Sequence, residues 1–257
     1  MKLLPMEFFK CRRRKILLLA LLFLAAQTVW MGASLARMEP EELAQGWLFL
    51  IYSLALIDAV MLPLTVAALA SRNCELEHKG ATLKLLETVT TPQKLYGAKL
   101  AWGAVVTAGM LLVRTVLMVG LGLAVGFPSQ LPWGKLGLSL GLSFGVTFVL
   151  YAMQQGLSLR FVNQAVPLAV GIFGSFVGLF SLFFPQWVQR CLIWGYYGVT
   201  IQAAMNWDPV TRATDFYWVT TAPREYFLLL LWLVDLCPES PTVVGPCSPN
   251  APVFESV

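Results

Sequence analysis

Long apolar runs separated by short polar segments set the layout of this chain. Runs at about 16–36, 47–70, 100–126, 136–157 and 165–184 can each cross a hydrocarbon core of roughly 30 Å as a helix. A sixth run, Tyr226–Cys237, holds only 12 residues. As a helix it covers about 18 Å, and lengthening it back to residue 222 brings Pro223, Arg224 and Glu225 into it. The pattern predicts an all-α polytopic membrane protein with six transmembrane helices, the sixth short or atypical. Residues 1–237 read as a single transmembrane domain. Residues 238–257 contain five prolines and no periodicity, which predicts a disordered tail.

The stretch Ser71–Lys99 is the long polar segment between apolar runs. It carries Arg72, Lys79, Lys84, Lys94 and Lys99, which assigns it to the cytoplasmic side. Within it Leu83, Leu86 and Val89 recur at helical spacing, Leu85 widens the stripe and Pro92 ends it. Thr82 suits the cap of this short amphipathic helix, which lies either on lipid or on a soluble partner.

Composition agrees with the membrane reading. Hydrophobic residues make up 58% of the 257, and charged residues 12%. A soluble domain carries about 25% charge. Six of the 18 Lys/Arg precede residue 16 and five lie in 71–99, a distribution of topology signals rather than of a phosphate-tracking stripe. The basic cluster Lys10–Lys15 places the N-terminus inside, against anionic headgroups. A cleavable leader is the competing reading, with Ala33 and Ala36 imitating a cleavage site. The apolar run is too long for it, and further spans follow. Cys11, Cys74, Cys191, Cys237 and Cys247 lack metal-ligand spacing and read as small hydrophobes. No P-loop and no H-E-x-x-H motif occurs, so neither ATP phosphates nor a hydrolytic zinc find a site in the sequence.

Two charges interrupt the apolar spans. Asp58 lies near the middle of the second and Arg114 well inside the third. Counted from the span ends, they fall within about 8 Å of each other in depth. They read as an interhelical ion pair, as a site that relays motion or passes substrate, or as charges facing solvent or a partner subunit. Gly137, Gly141 and Gly145 repeat every fourth residue, as do Gly174 and Gly178, which predicts close helix packing. On the outer side Glu39, Glu41 and Glu42 form an acidic turn. Trp194–Met205, too short to span, reads as a helix at or dipping into the outer interface. With Trp194, Tyr196, Tyr197 and Trp207, the glutamates make either a candidate surface for a cationic amphipathic peptide or simply a solvated turn beside an interfacial aromatic belt.

The order Glu77, Thr82, Lys84, Leu86, Pro92, Lys99 resembles the loop between spans two and three of ABC-2 type transporter permeases. Within that group the chain is similar to the lantibiotic-immunity permeases of Gram-positive bacteria. The resemblance covers residues 10–235 in layout and 75–99 in motif. It implies that Glu77, Thr82, Leu83, Lys84, Leu86, Val89 and Pro92 belong to a coupling helix that contacts a separate ATPase subunit. It also implies that Trp194–Met205 is the external re-entrant segment between spans five and six. By the same resemblance the chain is a multi-pass protein of the bacterial cell membrane. ATP and Mg would be held by two partner ATPase copies, with no cofactor on this chain. A second permease, or a second copy of itself, would complete the pore. The implied work is removal of cationic antimicrobial peptides. A permease for an antibiotic, lipid or ion is the alternative, and a polytopic scaffold or sensor partner is the third reading.

Overall fold

The structure, a computed structural model, describes residues 3–13, 16–39, 42–79, 91–207, 214–221, 225–226, 228–229 and 231. Helix α1 (Leu3–Arg13) leads into α2 (Ile16–Leu35). A 3₁₀ turn, Glu42–Gln45, then opens α3 (Gly46–Lys79). Helix α4 (Pro92–Val125) returns on the far side of the 80–90 connection. Helices α5 (Trp133–Arg160) and α6 (Ala165–Ser181) complete the bundle. Beyond it come α7 (Gln186–Cys191), a 3₁₀ turn (Ile193–Gly195) and the single turn α8 (Tyr196–Val199). The strands β1 (Ala203–Trp207) and β2 (Thr214–Trp218) pair antiparallel, with Met205 opposite Phe216. The bundle thus has a loop end, where 80–90 emerges, and a hairpin end.

Among the described residues four helical stretches are long and apolar enough to cross a membrane: Ile16–Leu35, Glu42–Glu75, Gln93–Val125 and Trp133–Arg160. Ala165–Ser181 is apolar but has only 17 residues, about 25 Å of helix. Of the expected sixth span, Glu225, Tyr226, Leu228, Leu229 and Leu231 are helical, and most of the rest lies outside the described residues. The residues of the expected tail also lie outside them. The expected all-α fold needs one correction, because the segment after α8 forms a β-hairpin.

The second and third spans are longer than hydropathy predicts. Helix α3 runs through the polar residues 71–79, and α4 starts eight residues before the apolar run at 100. Hydropathy marks where a helix meets lipid, whereas backbone hydrogen bonding continues until a breaker intervenes. Pro92 is therefore the opening residue of α4, a position whose N–H has no helical partner in any case. Pro63 lies inside α3 without ending it. Gly126 closes α4 in the left-handed region (φ 86°), its N–H shared between the carbonyls of Gly122 and Leu123.

Helix α2 shows how the bundle packs. Ile16, Ala20, Leu24, Gln27, Met31 and Leu35 face inward at spacings of three and four, and the outward positions are also apolar. A helix apolar on every side is at home in lipid. At the hairpin end Trp47 and Phe127 meet edge to face at 5.0 Å, and Trp47 Nε1 donates to Ser129 O at 2.9 Å. Trp47 and Trp102 are both buried, while Trp133 is exposed.

The glycine repeats divide. Gly174 and Gly178 admit the Trp194 side chain and backbone against α6. Gly145 faces Leu229. Gly137 and Gly141 have open space where a Cβ would stand, so they are not packing positions among the described residues. Their spacing is right, but they are exposed among the described residues.

Candidate functional site

Asp58 of α3 and Arg114 of α4 meet inside the bundle, where the Arg114 guanidinium donates to Asp58 Oδ2. Both side chains are 2% exposed. The carboxylate also accepts from Ser143 Oγ of α5 at 3.3 Å and from Gln27 Nε2 of α2 at 3.4 Å. One carboxylate therefore joins four helices. Lone charges are costly at this depth, and a shared pair with hydrogen-bonding neighbours reduces the cost. The layer continues one helical turn along α5. The Thr147 hydroxyl is 3.0 Å from that of Tyr197 in α8. A buried polar path thus runs from α2 to the segment beyond α6. Arg114 Nε is buried and has no hydrogen-bond partner among the described residues.

A second polar layer closes the loop end. Lys99, in α4, is wholly buried. Its ammonium donates to Glu7 Oε2 of α1 at 3.0 Å, and to both the backbone oxygen and Oδ1 of Asn73 in α3, each at 3.3 Å. Asn73 Nδ2 donates to the Tyr151 hydroxyl of α5 at 3.4 Å, and Cys11 Sγ lies 3.6 Å from Asn73 Oδ1. Here too four helices converge. Sequence reasoning missed this layer. Lys99 read as a topology charge and a motif match. The available signal was Glu7, the sole acidic residue before Glu39 in a basic stretch.

The helix extensions that flank 80–90 are themselves docked. His78 Nε2 donates to Ser158 O at 3.0 Å, and Tyr96 Oη to Ala152 O at 3.3 Å. Gln155 Nε2 returns a bond to Tyr96 O at 3.0 Å. Thr82, Leu83, Lys84, Leu86 and Val89 lie outside the described residues. Glu77 and Pro92 are placed by their backbone alone, in the last turns of α3 and at the start of α4.

The hairpin end changes the expected peptide surface. Trp194–Met205 is not one interfacial helix. It is a 3₁₀ turn, a single α-turn and a strand. Tyr196 and Tyr197 are 1% and 2% exposed and belong to the core, and the Trp194 ring is wedged against α6. Glycines at positions 195 and 198 let this segment fold back into the bundle, which removes its aromatics from the outer surface. Trp207 is 55% exposed, and Tyr217 and Trp218 are exposed on the partner strand. Gln45 brings the acidic turn to this hairpin. Its amide donates to Asp215 Oδ1 at 2.6 Å and accepts from the Phe216 N–H at 2.8 Å. Glu39 and Glu42 are exposed beside it, and Glu41 lies outside the described residues.

Helices long and apolar enough to cross a membrane, joined inside the bundle by buried interhelical charges, define a multi-pass membrane protein. The family model described as ABC-2 family transporter protein matches residues 3–178. The chain belongs to that family, whose members are the membrane subunits of transporters and work with a separate ABC ATPase subunit. Neither the curated proteins nor the solved structures yield a match.

Proposed function

We propose that this chain is the permease subunit of an ATP-binding cassette exporter that removes cationic antimicrobial peptides from the outer leaflet, as in lantibiotic or bacteriocin self-immunity. Its N-terminus and the 80–90 connection face the cytoplasm of a bacterial cell, and six spans within 1–237 cross the plasma membrane. Two ATPase copies hold ATP and Mg, and a second permease or a second copy of this chain completes the path. The observation that carries this reading is the docking of both helix extensions, by His78 to Ser158 and Tyr96 to Ala152, around the connection with the Leu83, Leu86 and Val89 stripe. A rigid frame around a short amphipathic segment suits a helix seated in a groove of a partner. Burial of Leu83 and Leu86 there contributes about 3–6 kcal/mol before ordering costs. The peptide assignment is supported by the acidic turn beside the Trp207, Tyr217 and Trp218 hairpin.

Replacing Leu83 and Leu86 together with aspartate tests the coupling assignment. The variant is expected to insert in the membrane and to lose co-purification of the ATPase. Normal ATPase binding and transport at the parental rate would refute it.

A further inference from the structure

Helices α3 and α4 are joined by two polar rungs placed at the same interval on each. Asn73 follows Asp58 by fifteen residues on α3, and Arg114 follows Lys99 by fifteen on α4. Because the helices run in opposite directions, the rungs Asp58–Arg114 and Asn73–Lys99 lie about 22 Å apart along the pair. Fifteen residues are close to four turns, so both rungs fall near one face of each helix. Each is also fastened to neighbours: the first to Gln27 and Ser143, the second to Glu7 and Tyr151.

The lower rung sits at the loop ends of both helices, beside the Tyr96 contacts to α5. Thr91 makes no side-chain cap to α4, and its carbonyl accepts from the N–H groups of Lys94 and Leu95. Gly97, two residues before Lys99, touches nothing that a Cβ would meet. A push on 80–90 reaches both helices together when their loop ends are held to each other as well as to α5, where His78 and Tyr96 dock. Lys99 holds them with three bonds, one of them to the α3 backbone itself. The pair it forms with Glu7 is enclosed on both sides, at 0% and 1% side-chain exposure, where salt and water screen it little.

We propose that Glu7, Lys99 and Asn73 are positioning residues that clamp the loop ends of α3 and α4 together. Displacement of the 80–90 connection then moves both helices as one unit and reaches the Asp58–Arg114 pair 22 Å away, about the length of the interval. This rests on the reading of 80–90 as the ATPase contact, which the Leu83 and Leu86 variant tests separately by co-purification.

The test uses the permease in complex with its co-purifying ATPase, with the five native cysteines replaced by serine. Spin labels on cysteines introduced at Leu117 of α4 and Phe173 of α6, both exposed, report the distance between the two helices with and without ATP and vanadate. The parent is expected to change this distance on trapping. Lys99→Met is expected to lose that change while the bound ATPase still hydrolyses ATP, and Lys99→Arg to restore it. If Lys99→Met does not accumulate, the exchange Glu7→Lys with Lys99→Glu stands in, and recovery of the distance change supports the clamp. Three results overturn it: a parent-like change in Lys99→Met, an accumulated exchange variant that lacks the change, or no change in a parent that binds ATPase. The last would leave the ATPase contact itself intact.

Discussion

Replacing Asp58 with leucine removes the carboxylate that α2, α3, α4 and α5 share. Arg114 then keeps its charge, since arginine does not deprotonate in proteins, and its Nε already lacks a partner among the described residues. Stranding one member of a buried pair costs about 3–5 kcal/mol. At roughly 2–4 °C per kcal/mol for a chain of this size, the Asp58→Leu variant should melt roughly 6–20 °C below the parent in detergent. Arg114→Met should cost less, about 2–3 kcal/mol. A stranded carboxyl can shed its charge by binding a proton, and the Ser143 and Gln27 contacts remain. The double replacement leaves no unpaired charge and should fall within about 1 kcal/mol of the parent. The coupling energy should therefore be at least about 4 kcal/mol, measured by thermal unfolding followed through tryptophan fluorescence. The charge exchange D58R with R114D should recover part of the loss. Additive single effects, with coupling within about 0.5 kcal/mol of zero, would refute the reasoning.

The glycines offer a paired comparison. Gly174→Ala sets a methyl against the Trp194 ring and should cost about 1–3 kcal/mol, whereas Gly137→Ala and Gly141→Ala should change stability by less than about 0.5 kcal/mol; equal melting shifts would contradict the packing. Neutralising Glu39, Glu41 and Glu42 to glutamine should weaken protection of cells against a cationic peptide most at low ionic strength, where exposed charges attract over the longest range. Unchanged protection across peptide concentrations would remove the acidic turn from peptide capture. Replacing Trp207 and Tyr217 with serine should lower peptide binding to the purified protein, while Tyr196→Phe, within the core, should leave it unchanged. The reverse order would return recognition to the segment that folds into the bundle.

Residue order by itself determined the helices that meet lipid. An apolar run has one stable answer in a bilayer, because every backbone group must bond within its own segment. Hence α2, α3, α4 and α5 fall where hydropathy puts them. The depths of Asp58 and Arg114 follow from a fixed rise per residue, so their contact was legible as well. The rest required the tertiary structure. Helix ends in water are set by hydrogen bonding, which hydropathy does not see, so α3 and α4 run past their apolar cores. A four-residue glycine repeat marks a face but not what faces it, and only packing separates Gly174 against Trp194 from Gly137 in open space. Tyr196 and Tyr197 look interfacial in sequence because aromatic residues suit both an interface and a core. The fold-back at residues 186–199 puts them in the core. Lys99, Glu7 and Asn73 are separated by as many as 92 positions, and no local pattern pairs them. Their clamp exists because α1 packs across the loop ends of α3 and α4, a long-range arrangement that burial of apolar surface selects and no local segment encodes.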